Sequence, residues 1–399
     1  MTSAAAPRDN RVNGFFGSLR VVEIGSWIAA PCASALMADL GAQVIKIEPR
    51  QGDPGRRFVS STGGGADRSP AFELFNRGKR SLVLDIAAAD DRDRLMNLLS
   101  TSDVLITNMR AGTLERAGLD PAAVLELCPR LVYASITGLG LRGPERDRAS
   151  YDVGAFWARS GLLHQLTAPG NPPPHPAGGY GDSVTALAAF SAVLVALLER
   201  ERTGRGQLVE SSLLQSGTWL CAGDLGVQAA FGRVNRASHR TESRTPLVNS
   251  YQTSDGRWLF LQGVESVRHF PGICAAIGRE DLCKDERFGS AKSMRTHRRE
   301  LIAILDEEFS RRPFAEWADR LDAAGVWWQV VASPEEVLRD RQLAVNDMLH
   351  DVAVGRPTPM VTSPFTLRGT RTRPVGPAPD LGTDSEALIR EIDAVSGRQ

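Results

Sequence analysis

One carboxylate is distinguished by the residues around it. Asp182 follows the glycine-rich stretch 178–181 and precedes a long apolar segment. An aspartate at the start of a helix is a favoured N-cap, because its side chain accepts hydrogen bonds from the amides that follow. The helix dipole would favour its ionised form by about 0.3–1 kcal/mol. The glycines leave the carboxylate approachable, and a carboxylate can attack an activated acyl carbon to form a covalent intermediate. We predict both roles, cap and nucleophile, for Asp182.

Positively charged residues near two loops are candidates for binding phosphate groups. These residues are Arg50, Arg56, Arg57, Arg77, Lys79 and Arg80. Guanidinium groups bind phosphate oxygens through paired hydrogen bonds, whereas scattered arginines and lysines are commonly only solvated. From the residues alone, both interpretations stay open.

Three other kinds of site are excluded by their surroundings. The stretch 138–143 matches G-x-G-x-x-G, but the charged segment 144–148 follows it where a helix is required, so we predict a turn and no nicotinamide or flavin. The dispersed histidines form no HExxH motif, and we predict no metal site; His175 is expected to face solvent. Ser183 lacks the G-x-S-x-G surroundings of a hydrolase nucleophile.

The amino-acid composition limits the classes of protein to which this chain can belong. A chain of 399 residues, 42% of them hydrophobic, is long enough for two or three domains with a large core. Lys plus Arg and Asp plus Glu each number 47, and this balance argues against a nucleic-acid partner. The five dispersed cysteines predict a reducing compartment. Segment 1–13 does not resemble a signal peptide, and the longest apolar run, 186–198, is too short to cross a bilayer. We therefore expect a cytoplasmic protein without a membrane partner.

The elements that must position these side chains alternate along the chain. Short runs rich in β-branched residues alternate with helical segments, which predicts an α/β fold: a Rossmann-like large domain with a parallel sheet. These runs are 19–25, 43–48, 81–85, 103–107 and 131–137. A buried helix is expected from Ser183 to about Arg202, since this stretch is apolar on nearly all sides.

The pattern of apolar and polar residues changes after about residue 245. A hairpin signal at Asp255-Gly256 and several helical segments predict a smaller α+β domain. The predicted organisation has four parts: 14–215 as the first part of the large domain, 216–245 as a linker, 246–335 as the small domain and 336–399 as a return segment that completes the large domain.

Short motifs occur along nearly the whole chain, and their order matches that of a known protein family. They are 19–48, Gly52-Asp53-Pro54, 76–81, 103–108, 134–138, Gly181-Asp182, 203–207, 255–258 and 378–382. In this order they resemble the class III CoA-transferases, the CaiB/BaiF family, which also includes α-methylacyl-CoA racemases. The resemblance implies an interlocked homodimer, with CoA and acyl-CoA as substrates and no permanently bound cofactor.

The resemblance also assigns roles to single residues. Asp182 matches the catalytic aspartate of the family, and Arg116 an arginine that binds the phosphates of CoA. Arg50 lies one residue beyond another family arginine. The positions expected to contact CoA are Ala29, Arg50, Asn108, Met109, Arg116, Thr137 and Gly138.

Departures from the family pattern limit the substrates and the reactions that we expect. Ile28 stands where formyl-CoA transferases have a glutamine, and no glycine-rich run is visible between 246 and 263, so a formyl/oxalate pair is not expected. Tyr151 stands where the racemase branch has a histidine. Because proton exchange at Cα needs two positioned acid–base groups, this change argues against racemisation.

The predicted activity is transfer of CoA from an acyl-CoA thioester to a free carboxylic acid through covalent intermediates on Asp182. Backbone amides near 178–181 are expected to stabilise the oxyanions. The alternatives are an α-methylacyl-CoA racemase or isomerase, which would exchange the Cα proton with solvent, and a CoA-binding protein without turnover.

Overall fold

The computed structural model describes residues 16–58, 69–233, 236–354, 356–370, 372, 376–395 and 397, so segment 1–13 lies outside the described residues. The chain divides into two compact units. The large unit comprises Met1–His164, Pro174–Val234 and Arg341–Gln399, and the small unit comprises Gln165–Pro173 and Asn235–Asp340.

The large unit is built on a six-stranded parallel sheet, which confirms the predicted α/β fold. Its strands are β1 (Arg20–Ile24), β2 (Gln43–Glu48), β3 (Arg80–Val83), β4 (Val104–Thr107), β5 (Val132–Thr137) and β6 (Leu208–Ser212), in the order β3-β2-β1-β4-β5-β6. The first five strands follow the predicted apolar runs, as expected for a sheet covered on both faces. The edge strand β6 was not predicted, because Glu210 and Ser211 interrupt its apolar pattern.

Helices cover both faces of this sheet. The helices up to residue 231 are α1 (Ala29–Asp39), α2 (Pro70–Asn76), α3 (Ala89–Ser100), α4 (Ala111–Arg116), α5 (Pro121–Leu127), α6 (Leu162–Gln165), α7 (Tyr180–Thr203), α8 (Leu213–Leu220) and α9 (Ala222–Phe231). Side chains of α1 and α7 form the core on one face, and those of α3, α4 and α5 on the other. The segment predicted as a linker, 216–245, therefore contains the end of α8 and the whole of α9.

Helix α7 has the length and composition of a membrane span. It has 24 residues, and its most apolar 18-residue window has a mean hydropathy of 1.9, with 44% of that window buried. Ala186, Ala189, Phe190 and Val193 of this helix are buried in the core that α1 and the sheet share. This packing accounts for the apolar character of its inner side.

The small unit combines an antiparallel sheet with helices. Its strands are β7 (Val248–Gln252), β8 (Trp258–Gln262) and β9 (Trp328–Val330). Its helices are α10 (Ser266–Ile277), α11 (Ala291–Thr296), α12 (Arg298–Phe309), α13 (Phe314–Ala323) and α14 (Pro334–Leu338). Gly256 has φ 79° in the turn between β7 and β8, where the sequence predicted a hairpin.

The C-terminal part of the large unit contains α15 (Arg341–Val345), β10 (Leu349–Val354), β11 (Arg356–Val361) and α16 (Ser385–Val395). Strands β10 and β11 form an antiparallel pair that the sequence did not predict, since Pro357 and Pro359 in β11 are unusual in a strand. Leu388 and Ile392 of α16 pack into the core beside α3.

Candidate active site

The strand order creates a crevice between β1 and β4. Connections leave these neighbouring strands in opposite directions along the sheet, and ligands of open α/β sheets bind outside the carboxyl ends of the strands at this point. Here Ile24 pairs with Thr107 in the sheet register. Just beyond, the Asn108 amide accepts a hydrogen bond from Ser26 N at 3.0 Å and donates one to Ser26 O at 2.8 Å. The two loops at the crevice are therefore joined.

The start of α7 lies beside the start of α1. Helix α1 begins just after β1, at the carboxyl edge of the sheet. A Cβ atom placed on Gly179 would lie 2.8 Å from Ile28 Cδ1, so the two helix starts are in contact. Asp182, in the first turn of α7, is thus held at the same edge as the crevice.

The prediction that Asp182 is the N-cap of α7 is wrong. Gly179, with φ 87°, occupies the N-cap position, and α7 begins at Tyr180 rather than Ser183. The buried Asp152 takes over the capping role: its Oδ2 accepts hydrogen bonds from Gly179 N at 2.7 Å and Gly181 N at 3.2 Å. The Asp182 carboxylate is left without a hydrogen bond or ion pair to any part of the chain that the structure describes.

The capping by Asp152 also changes the predicted oxyanion donors. Backbone amides near 178–181 are expected to stabilise oxyanions, but those of Gly179 and Gly181 already donate to Asp152. Within the described residues, the amides of Tyr180 and Asp182 donate to no acceptor. These two remain as candidate donors at the start of α7.

The environment of Asp182 raises its pKa. Burial of the carboxyl group, together with repulsion from Asp152, raises the pKa from 3.8 to about 7. The helix dipole was expected to keep this group ionised, but that contribution is smaller than the cost of desolvation. Asp182 is therefore a carboxyl group that changes charge near neutral pH, which is typical of functional sites.

Cys32 is the cysteine whose charge environment includes Asp182. Burial raises the pKa of the Cys32 thiol to about 11, with smaller effects from nearby charges. Since the thiolate is the reactive form of cysteine, Cys32 stays an unreactive thiol at neutral pH.

The residues predicted to contact CoA lie mostly along one edge of the sheet. Thr137 ends β5, and the others follow a strand: Ala29 after β1, Arg50 after β2, Asn108 and Met109 after β4, and Gly138 after β5. Because the strands are parallel, their carboxyl ends share an edge. The sheet thus brings these positions to the side where Asp182 lies.

The individual side chains at this edge differ in exposure. Ala29 and Thr137 are buried, and Met109 packs partly into the core. Arg50 is exposed and has no partner in the described chain. Arg116 is also exposed, at the end of α4, and its Nη2 donates to Thr113 Oγ1 at 3.2 Å.

Most of the predicted phosphate-binding cations are paired inside the protein instead. Arg56 pairs with Glu48, Arg77 with Asp39, Lys79 with Glu23, and Arg80 with Glu391. Each carboxylate neutralises a positive charge that would otherwise be available to a phosphate group. Arg57 is exposed and its Nη2 donates to Gln51 O at 3.2 Å, whereas Arg50 is exposed and has no partner among the residues that the structure describes.

Aromatic rings lie beside the start of α7. The Trp27 ring contacts Phe58 and Tyr151 edge-on, with centroid distances of 5.8 and 6.1 Å. Trp27 precedes Ile28, which contacts Gly179, and Tyr151 precedes Asp152. Phe58 and Tyr151 are 52% and 67% exposed in the described structure. We call Trp27, Phe58 and Tyr151 the aromatic group.

Two other residues singled out in the sequence have local roles. The Ser183 hydroxyl donates to Gly179 O at 2.9 Å, within the first turn of α7. His175 is exposed in the loop before that helix. Neither residue forms a Ser–His arrangement in the described structure.

Comparison with known proteins identifies the family. Residues 17–385 match the sequence profile of CoA-transferase family III. The chain is 30% identical over 384 residues to the (R)-2-hydroxy-4-methylpentanoate CoA-transferase of Clostridioides difficile, covering 94% of both chains. It is 29% identical to the cinnamoyl-CoA:phenyllactate CoA-transferase of Clostridium sporogenes, covering 96% of this chain and 94% of the relative.

A solved structure supports the same assignment. A CaiB/BaiF family protein from Brucella suis superposes with a TM-score of 0.83 at 27% identity, covering 94% of this chain and 98% of the other. The chain belongs to CoA-transferase family III, and the resemblance noted in the sequence is confirmed.

Proposed function

We propose that this protein is an acyl-CoA:carboxylate CoA-transferase with Asp182 as its nucleophile. The observation that carries this proposal is the partly desolvated Asp182 carboxylate at the carboxyl edge of a parallel sheet, which has no hydrogen bond or ion pair among the described residues. The relatives described above are CoA-transferases for different acids, which supports the reaction class.

The proposed reaction has four acyl transfers. Asp182 attacks the thioester carbonyl of the donor, the C–S bond breaks, and a mixed anhydride and CoA thiolate form. The thiolate attacks the aspartyl carbonyl, releasing the donor acid and leaving an aspartyl-CoA thioester. The acceptor carboxylate attacks this thioester and releases the thiolate, which then attacks the acceptor acyl carbon. The product acyl-CoA forms and the Asp182 carboxylate returns.

The charge environment of Asp182 favours these intermediates. Burial and Asp152 disfavour the ionised carboxylate, as its raised pKa indicates. Acylation removes that charge, so the anhydride and the thioester escape the repulsion that the free carboxylate experiences. A carboxylate that is weakly solvated also loses less hydration when it attacks.

We propose that CoA lies along the edge formed by Ala29, Asn108, Met109, Thr137 and Gly138, with Arg50 and Arg116 toward its phosphates. The exposure of both arginines supports this arrangement. The amides of Tyr180 and Asp182 are the proposed oxyanion donors, since they point to no other acceptor in the described chain.

The acyl groups of the substrates are proposed to be apolar. An acyl group bonded to Asp182 would lie near the aromatic group, where Phe58 and Tyr151 expose apolar surface. Burial of such rings against an apolar acyl chain is favourable. A screen of acyl-CoA donors against carboxylic acids, read by mass spectrometry, is expected to favour bulky apolar acids over acetate.

A second copy of the chain is proposed to cover the outer face of α8 and α9. Helix α9 is apolar, yet none of its residues is buried in the single chain. Trp219, Leu220 and Phe231 are more than half exposed, and Trp219 lines a cavity of about 410 Å³. An apolar face of this kind is typical of a protein–protein interface, which supports a homodimer.

Transfer assays on matched variants test the proposed activity. CoA transfer between an acyl-CoA and an isotopically labelled acid is expected to fall by about a thousandfold or more in Asp182→Ala. Asp90→Asn is the control, since Asp90 also lies in the first turn of a helix but on the surface. Full transfer by Asp182→Ala would contradict the proposal, as would deuterium wash-in at Cα without exchange of acids.

A further inference from the structure

A cluster of buried charges lies beneath the loop between β1 and α1. Glu23 Oε1 is 2.6 Å from Lys46 Nζ, and Glu23 Oε2 is 2.6 Å from Lys79 Nζ; all three side chains are fully buried. Asp53 Oδ2 lies 2.9 Å from Lys46 Nζ, also without exposure. The cluster of Glu23, Lys46, Asp53 and Lys79 thus contains two acids and two bases.

Asp53 connects this buried cluster to the loop above it. Its Oδ1 accepts hydrogen bonds from Gly55 N at 2.8 Å and from Trp27 N at 3.2 Å. Lys46 Nζ reaches the same loop by donating to Gly25 O at 3.0 Å. Asp53 is the central residue of the Gly52-Asp53-Pro54 motif, to which the proposed mechanism assigns no role.

The loop that Asp53 holds has a backbone conformation that needs support. Trp27 has φ 67°, in the left-handed region, where a bulky residue is disfavoured. Such a conformation persists only when its surroundings fix it. Here Asp53 holds the Trp27 amide, and Asn108 holds the preceding Ser26 from both sides.

The next residue of the loop meets the helix that carries the nucleophile. Ile28 contacts Gly179, the N-cap of α7, so closely that a Cβ atom there would lie 2.8 Å from Ile28 Cδ1. Asp182 is in the first turn of that helix. A chain of direct contacts therefore leads from Asp53 through the 25–28 loop to the start of α7.

We propose that Asp53 is a positioning residue for the reaction at Asp182. Its charged carboxylate, neutralised by Lys46 in the interior, fixes the left-handed Trp27 and so sets where the 25–28 loop holds the start of α7. Asp53 itself touches no substrate. The inference rests on the proposed function, because it concerns the geometry of that reaction.

The chain offers a matched control for Asp53. Asp39 is equally buried and also faces a buried cation: it pairs with Arg77 and accepts a hydrogen bond from Ser363 Oγ at 2.8 Å. It lies at the last residue of α1, about 15 Å along the helix from the 25–28 loop at 1.5 Å per residue. Asp53→Asn and Asp39→Asn each remove one buried negative charge without changing side-chain size.

The test compares melting temperature with steady-state kinetics in both variants. Both are expected to lose melting temperature. Asp53→Asn should also lower kcat by about tenfold or more at saturating acyl-CoA, because a small misplacement of reacting groups slows the reaction. Asp39→Asn should keep kcat within about twofold of wild type. If Asp53→Asn does not fold, the double variant Asp53→Asn/Lys46→Met, which removes both charges, is expected to show the same loss of kcat.

The outcomes separate this inference from the proposed function. Wild-type kcat in the folded Asp53 variant, or an equal loss of kcat in Asp39→Asn, would overturn the positioning role while leaving transfer by Asp182 intact. A wild-type enzyme that transfers CoA from no donor would contradict the proposed function itself, and the positioning role with it.

Discussion

The proposed chemistry depends on the carboxyl group of Asp182, which the fold partly shields from solvent. The sequence singles out Asp182 as a candidate, because glycines, the predicted helix start and the family motif all lie within a few residues of it. The role of Asp152 could not be predicted, since Asp152 belongs to a different part of the chain and only the fold brings it to Gly179 and Gly181. The direction of the pKa shift was also missed, because burial is a tertiary property.

The raised pKa predicts how activity depends on pH. Because the ionised Asp182 is the proposed nucleophile, kcat/KM is expected to fall as the pH drops through about 7 and to level off above it. Asp152→Asn removes the repelling charge, so the inflection should move to lower pH. Measurement of kcat/KM against pH in the wild type and in Asp152→Asn tests both expectations. An inflection near the ordinary aspartate pKa in the wild type would contradict this description of the site.

The same shift predicts a cost in stability. The folded protein holds a proton on Asp182 between pH 3.8 and about 7 that the unfolded chain has lost, so stability falls as the pH rises through this range. The full penalty, at most about 4 kcal/mol, is present above that range. Asp182→Asn is expected to melt higher than wild type above about pH 8, with the difference lost near about pH 4. Equal melting temperatures at both pH values would argue against a desolvated Asp182.

At the scale of elements, the start of α7 is held by close contacts that only glycine permits. A Cβ atom on Gly181 would lie 2.5 Å from the Phe156 ring, whereas Gly223, at the same position in α9, has nothing within 4 Å. Gly181→Ala is therefore expected to destabilise the protein by about 1–3 kcal/mol and to lower transfer activity, because α7 must shift. Gly223→Ala should keep activity. Chemical denaturation and transfer assays measure both; normal activity in Gly181→Ala would contradict the close fit.

The predictability of the elements follows their burial. Strands β1, β2, β4 and β5 lie in the middle of the parallel sheet and β3 lies at its edge, and buried apolar residues in each of the five reveal them. The edge strand β6 and the proline-containing β11 carry no such run, since Glu210 and Ser211 interrupt the first and Pro357 and Pro359 the second. The sequence predicts helix α7 but not its first turn, because that turn begins among glycines.

At the scale of the whole molecule, the exposed apolar face of α8 and α9 predicts self-association. The wild-type chain is expected to be a dimer in solution, and the double variant Trp219→Glu/Phe231→Glu a monomer, because buried glutamates would disfavour the interface. Leu127→Glu is the control: Leu127 is 69% exposed on α5, outside this face. Analytical ultracentrifugation of each protein measures its oligomeric state. A monomeric wild type would contradict the proposed interface.

The proposed covalent bond at Asp182 can be captured directly. The protein is mixed with an acyl-CoA, quenched with hydroxylamine, digested and analysed by mass spectrometry, with Asp182→Asn as the control. We predict an aspartyl hydroxamate on the peptide that contains Asp182 in the wild type and none in the variant. An enzyme that transfers CoA but yields no adduct at Asp182, or yields one at another carboxylate, would contradict the account.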